Sequence, residues 1–307
     1  MKSQTLSLAL QGGGSFGAIT AGVLTRLLDV PDLEFDTVSG TSAGAVNAVL
    51  LADGLAQGGR ISAQQKLQSF WSRLANSAPA LGIGFSFATS WMSGWDLNPL
   101  RNLLESEIDF ERLRAVKPLR LILNATRVRD GHPHYFREHD VTIDVVMASA
   151  CLPNLASPVE IDGEFYWDGG YTANPPLQPL ALASRASDIL LVQILPEDQS
   201  SIPRTPLEIA ARTAMLAFNS GLQRELAALD DLSQLARERR FFRSPRAQKL
   251  AQLRLHRIKA TDYIDDLHRE NPLFLDPRFL NRLREAGTSA AENFLENFTG
   301  AKAPQHV

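Results

Sequence analysis

Two short glycine turns, each entered from an apolar run and left by a helical pattern, constrain this chain more than any other feature. The first is LALQGGGSFGAI, where Leu6 to Leu10 reads as a buried strand and Ala18 to Asp29 carries apolar residues at helical spacing. The second follows Phe35 to Ser39: Gly40-Thr41-Ser42-Ala43-Gly44 ends the strand and opens a helix over Ala43 to Ala56. A βαβα beginning of this kind predicts an α/β protein. Leu119 to Ala125 and Ile189 to Leu195 are further strands, too continuously apolar for a sheet with one wet face, so helices are expected on both. The expected architecture is therefore a three-layer sandwich around a central, mostly parallel sheet.

Between those strands, Arg129-Asp130-Gly131 and Asp162-Gly163 signal two hairpins, because Asp-Gly supplies the positive φ angles of tight turns. The second hairpin delivers Trp167 to the edge of Asp168-Gly169-Gly170. From Pro206 to about Arg243 the pattern is helical and charge-laced, Leu253 to Lys259 reads as a late strand, and Pro277 to Phe298 as a final helix. The expected division is a core over residues 1–200 and a mainly helical region over 201–307, packed on the same domain.

Composition enters as a set of exclusions. A chain of 307 residues with 44% apolar and 21% charged residues is that of a folded protein. Its formal net charge of −3, with no long basic block, lacks the electrostatic footprint of a nucleic-acid binder. A lone Cys151 forms no intrachain disulfide, and no run approaches the ~18 apolar residues of a membrane span. The opening MKSQTLSLALQ does not read as a signal peptide, so the expected location is cytoplasmic, with peripheral membrane contact left open. Nothing in the sequence sets an oligomeric state.

Gly12, Gly14 and Gly17 satisfy the spacing of a dinucleotide fingerprint, which also needs an acid about 20 residues on, at the end of the second strand. Asp36 lies near the start of that strand instead. A P-loop needs Lys and then Ser or Thr after the last glycine, and Ala18 and Ile19 stand there. The second turn supplies another reading. G-x-S-x-G between a strand and a helix is a nucleophile elbow, in which Gly40 and Gly44 leave room for a sharply turned Ser42. Both turns lie at carboxyl ends of strands, where open α/β sheets bind ligands. The amides of Gly12, Gly13 and Gly14 are then candidate donors to the oxyanion of a carbonyl attacked by Ser42.

A serine nucleophile needs a base. Of the six histidines, His132, His134, His139, His256, His268 and His306, only the last three follow Asp168 in the order serine, acid, histidine, and none of those three lies in a glycine-rich turn of the kind that shapes a site. The trio His132, His134 and His139 lacks the acids or cysteines of a metal site and reads as a solvated hairpin. Asp168, at a strand end before two glycines, is the stronger candidate, with an Asp-Gly turn as its plain structural reading.

Taken in order, GGGSFG, GTSAG and DGG, with apolar strands before each, resemble the patatin-like phospholipase family of acyl hydrolases. The segment ASACLPNLASPVEIDGEFYWDGG and Asn174-Pro175 resemble it too, so the likeness runs from about Leu6 to Leu195. The resemblance implies a Ser42–Asp168 dyad without histidine, with Gly12, Gly13 and Gly14 as oxyanion hole and Gly17, Gly40, Gly44, Gly169 and Gly170 shaping the turns. It implies a lipid acyl hydrolase of phospholipase A, lysophospholipase or carboxylesterase type, acting through an acyl-enzyme on a lipid or other ester without metal or organic cofactor. An acyltransferase or non-lipid esterase with the same dyad, or a non-catalytic lipid-binding protein, are the alternatives. Many members carry Lys or Arg where this chain has Phe16. The uncharged stretch from Ala78 to Trp95 adds Phe85, Phe87, Trp91, Met92 and Trp95 as candidate acyl-pocket or membrane-interface contacts, with core burial as the other reading.

Overall fold

The computed structural model describes residues 4–76, 98–153, 155–198, 202–238, 244–264, 267 and 271–300. Its centre is an eight-stranded sheet. In chain order the strands are β1 (Gln4–Leu10), β2 (Leu33–Thr41), β3 (Arg120–Arg127), β4 (Pro133–Arg137), β5 (Val159–Ile161), β6 (Glu164–Asp168), β7 (Asp188–Gln193) and β8 (Arg254–Lys259). Their spatial order is β5-β6-β3-β2-β1-β7-β8, with β4 also paired to β3. The run β3-β2-β1-β7-β8 is parallel, and β4, β5 and β6 make the antiparallel edge.

The alternation of side chains along the central strands shows why the strands read as continuously apolar. Leu8 and Leu10 of β1, Leu121 and Leu123 of β3, and Leu190 and Val192 of β7 enter one core, while Ala9, Ile122, Ile189 and Leu191 enter another. Successive strand residues point to opposite faces, so a strand covered on both sides has no polar phase. The first face is covered by α1 (Gly17–Leu28), α2 (Ala43–Asn76) and α9 (Pro277–Gly300). The second is covered by α6 (Leu177–Ala183) and α7 (Pro206–Glu238), with α8 (Pro245–Gln252) packed beside them.

The expected late strand is β8, which pairs in parallel with β7 from Arg254 to Lys259. The final helix, α9, lies against α1 at a closeness set by two glycines: a Cβ on Gly22 would collide with the Arg284 carbonyl, and one on Gly287 with the Ile19 carbonyl. We predict that Gly287→Ala lowers stability by about 1–3 kcal/mol, as overpacking does, measured by denaturant unfolding. An unchanged midpoint would mean that the two helices are not held so closely.

Helix α2 consists of two helical runs joined at a kink, the first ending close to the expected Ala56 and the second running on to Asn76. Gly58 and Gly59 break its backbone, Gly59 at a φ of 73°, and hide the next helical stripe of Ala63, Leu67, Phe70, Trp71 and Leu74, all buried. Helices α3 (Asn98–Glu107), α4 (Phe110–Val116) and α5 (Ile143–Ser149), with α6 and α8, are too short to show a clear period. Side-chain caps mark three of them: Asp109 accepts the Arg112 N–H at 2.9 Å, Thr142 that of Val145 at 3.3 Å and Ser244 that of Ala247 at 3.2 Å. Among the described residues no helix is long and apolar enough to cross a membrane.

Candidate active site

Ser42 stands between β2 and α2 at a φ of 55°, a left-handed conformation that a serine holds only under constraint, and is 8% exposed. The glycines around it are steric requirements. A Cβ on Gly40 would lie 2.6 Å from the Gly44 carbonyl oxygen, and one on Gly44 would collide with that of Leu10. The Ser42 N–H donates to Ser149 Oγ at 2.9 Å, and Ser149 Oγ donates onward to the Asn124 carbonyl at 2.7 Å. The elbow is thus fastened to β3 through the end of α5.

Strand register brings Asp168 to the same level. Thr41 pairs with Asn124, and the next residue of β3, Ala125, pairs with Asp168 at the end of antiparallel β6. The aspartate arrives from the far side of the sheet edge to face the residue after Thr41, which is Ser42. Its backbone is held at both ends: the N–H donates to the Cys151 carbonyl at 2.7 Å, and the carbonyl accepts from Thr126 Oγ1 at 2.8 Å. Oδ1 accepts the Gly170 N–H at 2.8 Å. Gly169 and Gly170 are packed too tightly for a side chain, against the Asn124 carbonyl and the Phe218 ring.

The Asp168 side chain is wholly buried. Burial pushes its carboxyl up to about 7, against the Gly170 N–H and the Ser42 hydroxyl, both of which favour the carboxylate. Oδ2 completes no well-formed hydrogen bond among the described residues, so the Ser42 hydroxyl is a near neighbour rather than a tight partner. Loose contact of this kind is common between reacting groups before substrate binds. The same burial raises the neighbouring Cys151 thiol to about 11, which keeps it protonated.

The first glycine loop lies against the elbow. A Cβ on Gly12 would approach Ser42 Cβ to 2.7 Å. The Gly12 N–H is already committed, donating to Asn174 Oδ1 at 2.7 Å, while Asn174 Nδ2 donates back to the Gly12 carbonyl at 3.2 Å. The Ser15 N–H is committed too, to the Pro272 carbonyl at 2.7 Å. Between them the amides of Gly13 and Gly14 have no acceptor among the described residues. Gly17 packs on Ala43 and Trp71, and its carbonyl accepts Asn47 Nδ2 at 2.9 Å. Asn47 Oδ1 accepts from Trp71 Nε1 at 3.0 Å, so one buried amide joins the helices that leave the two turns.

The histidines lie elsewhere. His256 on β8 pairs with Asp188 at 2.8 Å and packs on Phe294 and Phe298. His134 packs at a tilt against the rings of Phe136 and Tyr166, and its burial lowers its pKa. His132 and His139 sit exposed beside Asp130 and Asp140. His268, His306 and the aromatic segment with Phe85, Phe87, Trp91, Met92 and Trp95 fall outside the described residues. No group of His, Cys, Asp and Glu among the described residues could hold a metal ion.

The model of the family described as patatin-like phospholipase matches residues 8–181, more than half of the chain. The chain belongs to the patatin-like phospholipase family. It is 26% identical over 208 residues to the uncharacterized protein YjjU of Escherichia coli (strain K12), covering 65% of this chain and 54% of that protein. It is also 26% identical over 193 residues to the uncharacterized protein R571 of Acanthamoeba polyphaga mimivirus, covering 57% and 61%. The chain thus spans between half and two thirds of the length of these relatives. Among solved structures, VipD from Legionella pneumophila superposes with a TM-score of 0.45 at 16% identity, covering 97% of this chain and 67% of VipD.

The patatin-like segment carries both turns, Asp168 and Asn174, and ends within α6. Three residues that local pattern does not reveal as fasteners of this patatin-like site are Ser149, Asn174 and Pro272, the last outside the matched segment. Phe16 also finds its reason there. It is fully buried, its ring edge-on to Phe279 of α9 at 6.3 Å, so the one large side chain of the glycine loop is part of the core.

Proposed function

We propose that this chain is a lipid acyl hydrolase that works through an acyl-enzyme on Ser42, with Asp168 as its base. The observation that carries the reading is the juxtaposition of a serine on a constrained elbow with a fully buried aspartate whose carboxyl is raised to about 7. An ordinary carboxylate is too weak a base to take a proton from a hydroxyl. Raising its pKa toward the working pH brings it into the useful range while leaving a large fraction ionised.

In the proposed reaction the Asp168 carboxylate takes the Ser42 proton as Oγ attacks the ester carbonyl. The oxyanion forms against the Gly13 and Gly14 amides, near the amino end of α1, where unpaired N–H groups and the helix dipole both favour negative charge. Gly12 serves by close packing, since its own N–H is spent on Asn174. Collapse of the intermediate sends the Asp168 proton to the leaving alcohol. Water, deprotonated by the same carboxylate, then attacks the acyl-enzyme and releases the fatty acid with Ser42 restored. Protein groups and water supply every proton.

Family membership supports a lipid ester as substrate. The test is release of free fatty acid from vesicles of mixed phospholipids and from a p-nitrophenyl ester, wild type against Ser42→Ala. We expect release by the wild type alone; a folded wild type that cleaves neither substrate would overturn the reading.

A further inference from the structure

Of four successive amides in the glycine loop, the outer two are tied and the inner two are open. Gly12 is tied by Asn174, within the family segment, and Ser15 by the Pro272 carbonyl, well beyond it. Asn174 Nδ2 on the Gly12 carbonyl fixes the peptide plane that carries the Gly13 N–H, the Phe16 N–H on the Gly13 carbonyl at 3.2 Å fixes the one that carries the Gly14 N–H, and the Pro272 bond to Ser15 fixes the plane that follows, so these ties together set where the two open N–H groups point. We propose that Pro272, presented by a turn that Asn271 organises, is the outer anchor of the oxyanion hole and makes residues 271–276 part of the acyl-transfer site.

The segment is built to hold that carbonyl still. Asn271 Oδ1 accepts the Leu273 N–H at 2.9 Å, and the Asn271 carbonyl accepts that of Phe274 at 2.9 Å. This is a turn with Asn first and Pro second, the positions at which an Asn side chain and a fixed proline φ favour it. Beyond it, Asp276 Oδ1 accepts the Phe279 N–H at 2.9 Å and caps α9. The Phe274 ring meets Phe279 at 5.6 Å, and Phe279 meets Phe16 of the glycine loop, so turn, helix and loop share one aromatic contact. On the other side, Gly14 has a φ of 55° and no room for a Cβ against the Pro272 carbonyl. The loop is shaped to receive that oxygen.

Asn271 and Pro272 are positioning residues, and the proposal rests on the acyl-transfer reading above. The test compares Asn271→Ala, Asn271→Ser and Pro272→Gly with the wild type on a p-nitrophenyl ester, recording thermal midpoints alongside, with Ser42→Ala in the same series. Loss of one oxyanion donor costs about 10²- to 10³-fold in kcat, so a misaligned pair is expected to cost about tenfold, with KM changed by less than about twofold. Asn271→Ser keeps an oxygen for the Leu273 N–H and is expected to stay within about threefold of wild type. Unchanged kcat in both Asn271→Ala and Pro272→Gly, or a serine variant as slow as the alanine one, would overturn the anchor while leaving the dyad intact. Full turnover by Ser42→Ala would instead overturn the dyad.

Discussion

Ser42→Ala is expected to reduce ester cleavage by at least about 10³-fold while leaving the fold intact, because the residual rate then rests on binding and the amides alone. The hydroxyl is the only part of Ser42 that the proposed chemistry uses. Its N–H, which fastens the elbow to Ser149, survives the substitution, as does the turn that Gly40 and Gly44 permit. The elbow itself is a strained conformation maintained by its surroundings, and alanine carries much the same strain as serine there. Circular dichroism and the thermal midpoint should therefore match the wild type. A Ser42→Ala protein that retains more than about a tenth of the wild-type kcat would contradict the assignment.

Asp168 sets the pH dependence. With its carboxyl raised to about 7, the ionised form that acts as base grows in as the pH rises. We expect kcat/KM on a neutral ester to climb about tenfold per pH unit below the midpoint and to level off above it, the midpoint lying near that of Asp168 in the free enzyme. Asp168→Asn removes the base and should abolish the rise along with at least about 10²-fold of the rate.

The same shift has a sign for stability. A carboxyl whose pKa is higher in the folded than in the unfolded protein binds its proton more tightly when folded, so its contribution is full below the unfolded value of 3.8 and is lost as the pH climbs through about 7. At pH 8 the wild type holds a buried charge that the Gly170 N–H and the Ser42 hydroxyl only partly offset. Asp168→Asn, which keeps an oxygen for the Gly170 N–H, is therefore expected to unfold at a higher temperature than the wild type at pH 8 and to lose that advantage near pH 4. A flat pH–rate profile between 6 and 8, with equal midpoints for both proteins at pH 8, would show that this carboxyl is neither the base nor strained by burial.

Sequence and structure part company where contacts become long-range. Ser42 and Asp168 could be singled out in advance because sharp turns at strand ends demand glycine at fixed offsets, and that demand is written locally in GTSAG and DGG. The sheet was legible for a similar reason, since strands covered on both faces lose their polar phase. The fasteners were not. Asn174 reaches Gly12 by two hydrogen bonds, and Ser149 reaches Ser42 and Pro272 reaches Ser15 by one each; Asn174 and Ser149 lie in stretches that resemble the family, but no local pattern shows which distant group each one meets. Phe16 looked anomalous within the glycine loop because its partner, Phe279, lies in the last helix. Which of three glycine amides stay open was also beyond local pattern, since it depends on what the neighbouring loops accept. The helix end expected at Ala56 lies beside the kink at Gly58 and Gly59, and what local pattern did not reveal is the second helical run beyond it, which buries Leu67, Phe70 and Trp71.

The most direct test of the central claim is the site of covalent modification by a fluorophosphonate, located by mass spectrometry of peptides from the folded protein. A single adduct on the peptide containing Ser42, absent in Ser42→Ala and formed more slowly as the pH falls below 7, is the predicted result. An adduct on another serine, or none on folded wild-type protein, would contradict the account.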